Sequence, residues 1–273
     1  MAKIIETKIN VGALAPFKII HLADTHLTYA DMRDNERKRE LAAKRSQYFR
    51  GAEDTLSLAS SLAGELSCPI FHTGDLSDFV SVANLERAKA FVAENDVTLS
   101  AGNHEFSQYV GEAKEDADYR NQSLGTVQAA YKNDIRMHTR AINGVKFIFL
   151  DDGYYKIEEE QLLFLRKELS EGLPTVVVMH TPLYEPELYA AMRRKHPCGY
   201  LLAVPDELVE TYERGRSQRA DEPTAKAAEL IRNSPCVKAV IAGHVHKDSE
   251  NMLTDRILQI TTDCETVRVI EFV

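Results

Sequence analysis

The feature that most limits what this chain can fold into is a set of short apolar, β-branched runs, each breaking off at a polar or glycine-containing turn. Ile19-Ile20-His21-Leu22-Ala23 leads to Asp24-Thr25-His26, and Ile70-Phe71-His72-Thr73 leads to Gly74-Asp75. Val97-Thr98-Leu99-Ser100-Ala101 leads to Gly102-Asn103-His104-Glu105. Val176-Val177-Val178-Met179 leads to His180, and Val240-Ile241-Ala242 leads to Gly243-His244-Val245-His246. Runs of this length and composition predict buried strands. Further strands are expected at residues 145–150, 257–261 and 267–272, the last two with the alternation of a sheet that has one wetter face. Apolar residues at helical spacing fall between the strands, over about 44–66, 85–93, 158–169 and 225–231, with Pro69 marking a stop beyond the first. Strand alternating with helix specifies an α/β layered fold.

Two stretches are longer than ordinary connections, at about 106–136 and 183–222. The second carries Arg193, Arg194, Lys195, His196, Arg214, Arg216 and Arg219. Neither has the composition of a linker. Both read as insertions in a single domain spanning residues 1–273, placed to cap a site.

Each of the five turns ends in a metal-competent or acid/base residue. In open α/β sheets ligands bind outside the carboxyl ends of strands, so the five turns are expected to meet in one crevice. A glycine before Asp75, Asn103 and His244 lets the backbone turn sharply or approach its neighbour closely. Asp, Asn and His without Cys make an oxygen and nitrogen donor set suited to Mn, Fe, Zn or Co. The four cysteines, Cys68, Cys198, Cys236 and Cys264, are widely spaced and give neither a thiolate zinc site nor a disulfide framework. Asp75, on a middle strand, is the candidate to bridge two cations. Such a pair, ~3.5–4 Å apart, would clamp a phosphoryl group and lower the pKa of a bound water, making a metal-bound hydroxide the nucleophile. His104, beside Asn103, is then placed to act on the leaving oxygen.

In identity and order, Asp24-Thr25-His26, Gly74-Asp75, Gly102-Asn103-His104-Glu105, His180 and Gly243-His244-Val245-His246 resemble the five blocks of the calcineurin-like metallophosphoesterases. Any one block is a weak signal, but five in order, each directly after an apolar run, are a strong one. The resemblance implies a four-layer αββα sandwich with two mixed β-sheets and two divalent metal ions, Mn, Fe or Zn. It assigns Asp24, His26, Asp75 and His246 to one metal, and Asp75, Asn103, His180 and His244 to the other. It makes His104 the catalytic histidine that is not a ligand. The family usually has Asp after the Asn-His pair, as a partner of the histidine. Glu105 stands there instead, one methylene longer, and is expected to support the site from behind the ligands.

The remaining signals are weaker. His21 and His72 lie inside strands and read as hydrogen-bonded core residues, while His138 and His196 read as exposed. Arg193, Arg194 and Tyr184 follow His180 closely and are the candidate substrate contacts, against the plainer readings of a solvated helix face and of packing. With 33 Lys+Arg against 42 Asp+Glu the net charge is −9, which disfavours bulk binding of nucleic acid. The expected partner is therefore a small, nucleotide-like phosphate ester, and the resemblance tilts the reading toward diesters over monoesters. A nuclease of the break-repair phosphoesterase type would need a basic groove. A catalytically silent scaffold of the same fold would show substituted ligands, and none is substituted here. The first residues lack the apolar core of a signal peptide and no run approaches the ~20 apolar residues of a membrane helix, so a cytoplasmic enzyme is expected.

Overall fold

The computed structural model describes residues 2–107, 110 and 117–273. Residues 108–109 and 111–116, within the first of the two long stretches, lie outside the described residues. The strands in chain order are β1 (Lys3–Ile9), β2 (Phe17–Leu22), β3 (Ile70–His72), β4 (Val97–Leu99), β5 (Met137–Ile142), β6 (Val145–Leu150), β7 (Thr175–Met179), β8 (Val237–Ala242), β9 (Ser249–Met252), β10 (Leu258–Thr261) and β11 (Thr266–Phe272). They form a five-stranded sheet in the order β1-β11-β2-β3-β4 and a six-stranded sheet in the order β5-β6-β7-β8-β10-β9. Both sheets are mixed. β2, β3 and β4 run parallel in the first, and β6, β7 and β8 in the second.

The alternation of side chains along each strand builds the layers. Ile19, Phe71 and Ile270 of one sheet face Phe147, Phe149, Val176, Val178 and Ile241 of the other, giving a core between the sheets. Their neighbours point outward, Ile20, Ile70 and Val269 beneath the helices of one face, Ile148, Val177 and Val240 beneath those of the other. The helices are α1 (Glu36–Arg45), α2 (Ala52–Leu66), α3 (Val82–Glu94), α4 (Ala117–Gln128), α5 (Glu159–Leu169), α6 (Pro186–Arg193), α7 (Glu213–Arg216) and α8 (Glu222–Asn233). Apolar residues of α2, α3 and α4 cover the five-stranded sheet, and those of α5 and α8 cover the six-stranded one. The result is the αββα sandwich expected from the sequence. No helix among the described residues is long and apolar enough to cross a membrane.

The departures from the expected elements have a common cause. β1, β5 and β9 were not foreseen, and all three are edge strands. β5 has no buried residue and β9 alternates between half-buried and exposed, so neither carries an apolar run. The expected helix over 44–66 is two helices, because the chain breaks between Arg45 and Ala52. α1 buries no residue, which leaves it without an apolar stripe to read; Asn35 starts it by accepting the backbone N–H of Lys38. α6 is only eight residues long, and Pro186 in its first turn and the Glu185 side chain, which accepts from Glu187 and Leu188, fix its start. The last two strands do not have the wet face expected of them. Gln259 and Arg268 are buried there, Gln259 bonded to both the N–H and the carbonyl of Leu183, and Arg268 bonded to Thr7, Thr262 and Glu250.

Phe71 is fully buried between the sheets, with edge-on contacts to Phe147 at 4.9 Å and Phe149 at 5.0 Å. Replacing it by alanine removes transfer energy and leaves a cavity. Phe71→Ala is expected to destabilise the fold by about 3–5 kcal/mol, read as a drop in the urea midpoint with little change in slope.

Candidate metal centre

The parallel strands of both sheets deliver their carboxyl ends to one edge of the sandwich. β2 exits into Asp24 and His26, β3 into Asp75, β4 into Asn103 and His104, β7 into His180, and β8 into His244 and His246. The exits are sharp. Asp24, His26, Asp75, His244 and His246 all have left-handed backbones, with φ between 44° and 65°. Such geometry costs of order 1–3 kcal/mol at a residue other than glycine, and here it is gathered at one place. Gly102 and Gly243 serve crowding and not turning. A Cβ on Gly102 would collide with the Asp75 carboxylate and the His180 ring, and one on Gly243 with Ala23 and the Asp24 carboxylate.

The side chains then converge. His26 Nε2 lies 3.1 Å from His246 Nε2, and Asp24 Oδ1 lies 3.4 Å from the same His246 nitrogen. His180 Nε2 faces Asn103 Oδ1 at 3.0 Å, His244 Nδ1 at 3.0 Å and Asp75 Oδ2 at 3.2 Å. Asp75 Oδ2 is also 3.8 Å from His26 Nε2, so one oxygen stands between the two groups. Asp24, His26 and His246 have ligand atoms within 4.8 Å of one another, as do Asp75, His180 and His244, and also His26, Asp75 and His104.

The donor set fits divalent cations on physical grounds. Asp24 Oδ1 is buried with no hydrogen-bond partner. Polar partners at the far nitrogens of the rings orient them and leave the other nitrogen looking inward. His180 Nδ1 donates to the Thr73 carbonyl at 2.7 Å, His26 Nδ1 is 2.9 Å from Asp78 Oδ1, and the Tyr155 hydroxyl is 2.6 Å from His244 Nε2. The lone-pair sides of His26 and His180 are thus turned toward other acceptors, an arrangement that calls for a positive centre. The electrostatics agree. Burial alone would lower the pKa of His180, but the Asp75 and Asp24 carboxylates hold it up at about 10. Against its own burial, Asp75 is held well below the usual carboxylate range by His180, His104 and His26.

Two supporting carboxylates have roles the sequence did not show. Asp78 binds Arg45 through both oxygens at 2.6 Å, touches His26 Nδ1, and sits 3.2 Å from His104 Nδ1, which also donates to the Asp78 carbonyl at 2.7 Å. Asp152 accepts the backbone N–H groups of His180 and Thr181 at 2.9 and 3.0 Å, fixing the exit of β7. Glu105 lies behind Asp75, but it does not partner His104. Its carboxylate accepts the backbone N–H groups of Asp75, Ser77 and Gly102 at 2.6, 3.0 and 2.7 Å, which ties the β3 and β4 exits together. The extra methylene reaches the loop backbone, and Asp78 is the residue that orients His104.

A cavity of about 340 Å³ lies over the cluster, bordered by Asp75, Asn103, His104, His244 and His246, by Arg45, and by Tyr155, Met192, Tyr200 and Val245. The three candidate substrate contacts fall elsewhere. Arg193 turns back onto the carbonyls of His196 and Pro197 and pairs with Glu210. Tyr184 packs with Leu188 and, ring against ring at 5.5 Å, with Tyr189. Arg194 borders a groove beside the cavity. His196 is exposed and lines the cavity rim, whereas His138 is half-buried. His21 and His72 are core residues, bonded to threonine hydroxyls (His21 to Thr73 and Thr262, His72 to Thr25), and burial pushes each pKa down to about 3.

Because Asp78 holds His26 in place, Asp78→Asn is expected to weaken metal binding by about 10–100-fold, measured by competition against a chelating dye. An unchanged affinity would make Asp78 a partner of Arg45 alone.

Among solved structures, the chain is similar to a dimetal phosphatase from Danio rerio, with 17% identity, 91% of this chain and 88% of that chain covered, and a TM-score of 0.52. It is similar to the phosphopantetheinyl hydrolase PptH from Mycobacterium tuberculosis at 12% identity, covering 91% and 90% of the two chains with a TM-score of 0.52. At these identities the likeness is one of fold. No curated protein matches the sequence significantly. The sequence model of the calcineurin-like phosphoesterases matches residues 17–248, which take in every residue of the cluster, and the chain therefore belongs to that family and is a metal-dependent phosphoester hydrolase.

Proposed function

We propose that this protein hydrolyses a small phosphate ester, a diester in preference to a monoester, in the cavity above the Asp75-centred cluster. The observation that supports the reading is the position of Asp75 Oδ2, 3.2 Å from His180 Nε2 and 3.8 Å from His26 Nε2, between the two groups of donors that would each hold an ion. Asp24, His26, Asp75 and His246 would hold one ion. Asp75, Asn103, His180 and His244 would hold the other. The similarity to the Danio rerio dimetal phosphatase supports two ions, and the donor types suit Mn, Fe or Zn. Such a pair supplies Lewis acidity and a nucleophilic oxygen at neutral pH.

The chain's own residues do the rest. His104 borders the cavity with its Nδ1 held by Asp78, which leaves Nε2 to give a proton to the departing oxygen. Burial lowers its pKa, and the Asp75 and Asp78 carboxylates outweigh that and raise it. Arg45, paired with Asp78, brings positive charge to the cavity wall. Met192, Tyr200 and Val245 give the organic part of an ester an apolar wall, with room for a small molecule. A net charge of −9 argues against a nucleic-acid polymer as substrate.

The test is turnover of bis(p-nitrophenyl) phosphate and p-nitrophenyl phosphate by Mn²⁺-loaded protein, with a chelator control. Chelator-sensitive hydrolysis, faster on the diester, is the expected result. A faster monoester would reverse the diester assignment, and no turnover of either by metal-loaded protein would sink the hydrolase reading of this cavity. His104→Ala is expected to keep both metals and lose about 10²-fold in kcat. Loss of metal in that variant would place His104 among the ligands instead.

A further inference from the structure

Beside the cavity over the cluster lies a groove of about 410 Å³, and the two share Met192, His196, Val245 and His246 among their lining residues. The groove is lined by Lys3, Arg194, Lys195 and Lys247. Two carboxylates border it as well, and both are engaged. Asp248 pairs with Lys3 at 2.7 Å, accepts from Asp263 N and Thr266 Oγ1, and faces the buried Arg268 at 3.4 Å. Asp263 Oδ1 accepts the backbone N–H of Cys264 at 2.8 Å. Arg194 and Lys195, at the end of α6, are exposed and form no ion pair among the described residues. A pair of uncompensated cations beside an active cavity is notable on a chain whose net charge is −9.

We infer that this groove receives a second anionic group of the substrate, a phosphate or a carboxylate, bound by Arg194 and Lys195 while the ester sits at the cluster. The inference rests on the reading that the cluster binds the phosphoryl group. The shared lining decides the shape of the ligand. Met192 and Val245 lie between the cluster and the cationic groove together with the rings of His196 and His246, so the segment that joins the two anionic ends crosses two apolar side chains flanked by two imidazoles. Arginine matches either oxyanion with a planar fork of donors, and lysine adds a movable point charge. Both side chains are exposed, so the attraction is screened by salt. It acts on selectivity and capture more than on the chemical step.

The test is calorimetric titration of the Mn²⁺-loaded protein with alkyl phosphonates of graded chain length, ending in methyl, in a second phosphonate or in a carboxylate. Their P–C bonds are not hydrolysed, so binding is read apart from turnover. At one chain length a charged end is expected to bind about tenfold tighter than the methyl end, an advantage that shrinks as salt rises. Which charged end gains more identifies the group. In the Arg194→Ala/Lys195→Ala double variant the ratio should fall to near one. Equal affinity for all three ends at every length, or an advantage that the double variant leaves intact, would overturn the inference. Absence of ester hydrolysis in the wild type would count against the proposed activity alone, because the affinity ratio decides the groove independently.

Discussion

Three buried carboxylates, Asp24, Asp75 and Asp78, approach the one ring of His26, at 3.9, 3.8 and 2.9 Å from its nitrogens, and the surrounding structure is arranged to make that tolerable. A buried charge without a partner costs several kcal/mol, so each needs compensation. For Asp78 it is local: both oxygens bind Arg45, and the rings of His26 and His104 lean on the same group. Asp24 has one oxygen on the backbone N–H of His244 at 2.7 Å and the other without a hydrogen bond, 3.4 Å from His246 Nε2. Asp75 has one oxygen on the N–H of His104 at 2.8 Å and the other amid histidines. The compensation is complete where arginine supplies it and incomplete where cations are called for.

This pattern links the site to the stability of the whole sandwich. The cluster draws Asp24, His26, Asp75, Asn103 and His104 from one sheet, and His180, His244 and His246 from the other. All four cysteines are free, so no disulfide ties one sheet to the other. The spacing between Asp75 and His180 follows from the core between the sheets, where Phe71 meets Phe147 and Phe149. Five left-handed residues at the exits store strain that this packing must hold. Cation binding favours the folded chain by mass action, so the metals and the core support each other.

What could be read in the sequence, and what could not, follows from the same physics. Strands buried along most or all of their length carry continuous apolar runs, so the runs that become β2, β3, β7 and β8, and β4 although it lies at a sheet edge, were legible in one dimension with the donors at their ends. Edge strands such as β5 and β9 pack one face at most and leave no run. At the centre, Asp24, Asp75 and His180 stand at strand exits, where a donor has meaning by position. Asp78 stands three residues beyond Asp75 in a loop, and an aspartate in a loop has no signature until its partners are known. Arg45 is hidden for a related reason: α1 buries none of its residues, so nothing in the sequence marks the arginine that reaches Asp78. Glu105 shows the opposite failure. Its place after Asn103-His104 suggested a partner for the histidine, but one more methylene put its carboxylate onto three backbone amides instead.

The substrate side of the cavity is built by different rules from the metal side. The strand exits are rigid, strained and crowded to the point that Gly102 and Gly243 admit no Cβ. The opposite wall comes from α6 and the segment after it, through Met192, His196 and Tyr200, none of which belongs to either sheet. Its helix is held by its own cap at Glu185 and by a small apolar cluster of Leu188, Met192, Leu201 and Val204 that is separate from the main cores. The metal side is thus fixed by the elements that fold the protein, while the facing wall comes from a segment outside both sheets that meets the β8 exit at Val245. On this division, substitutions in α6 alter which ester enters, and substitutions at the strand exits alter whether any ester is cleaved.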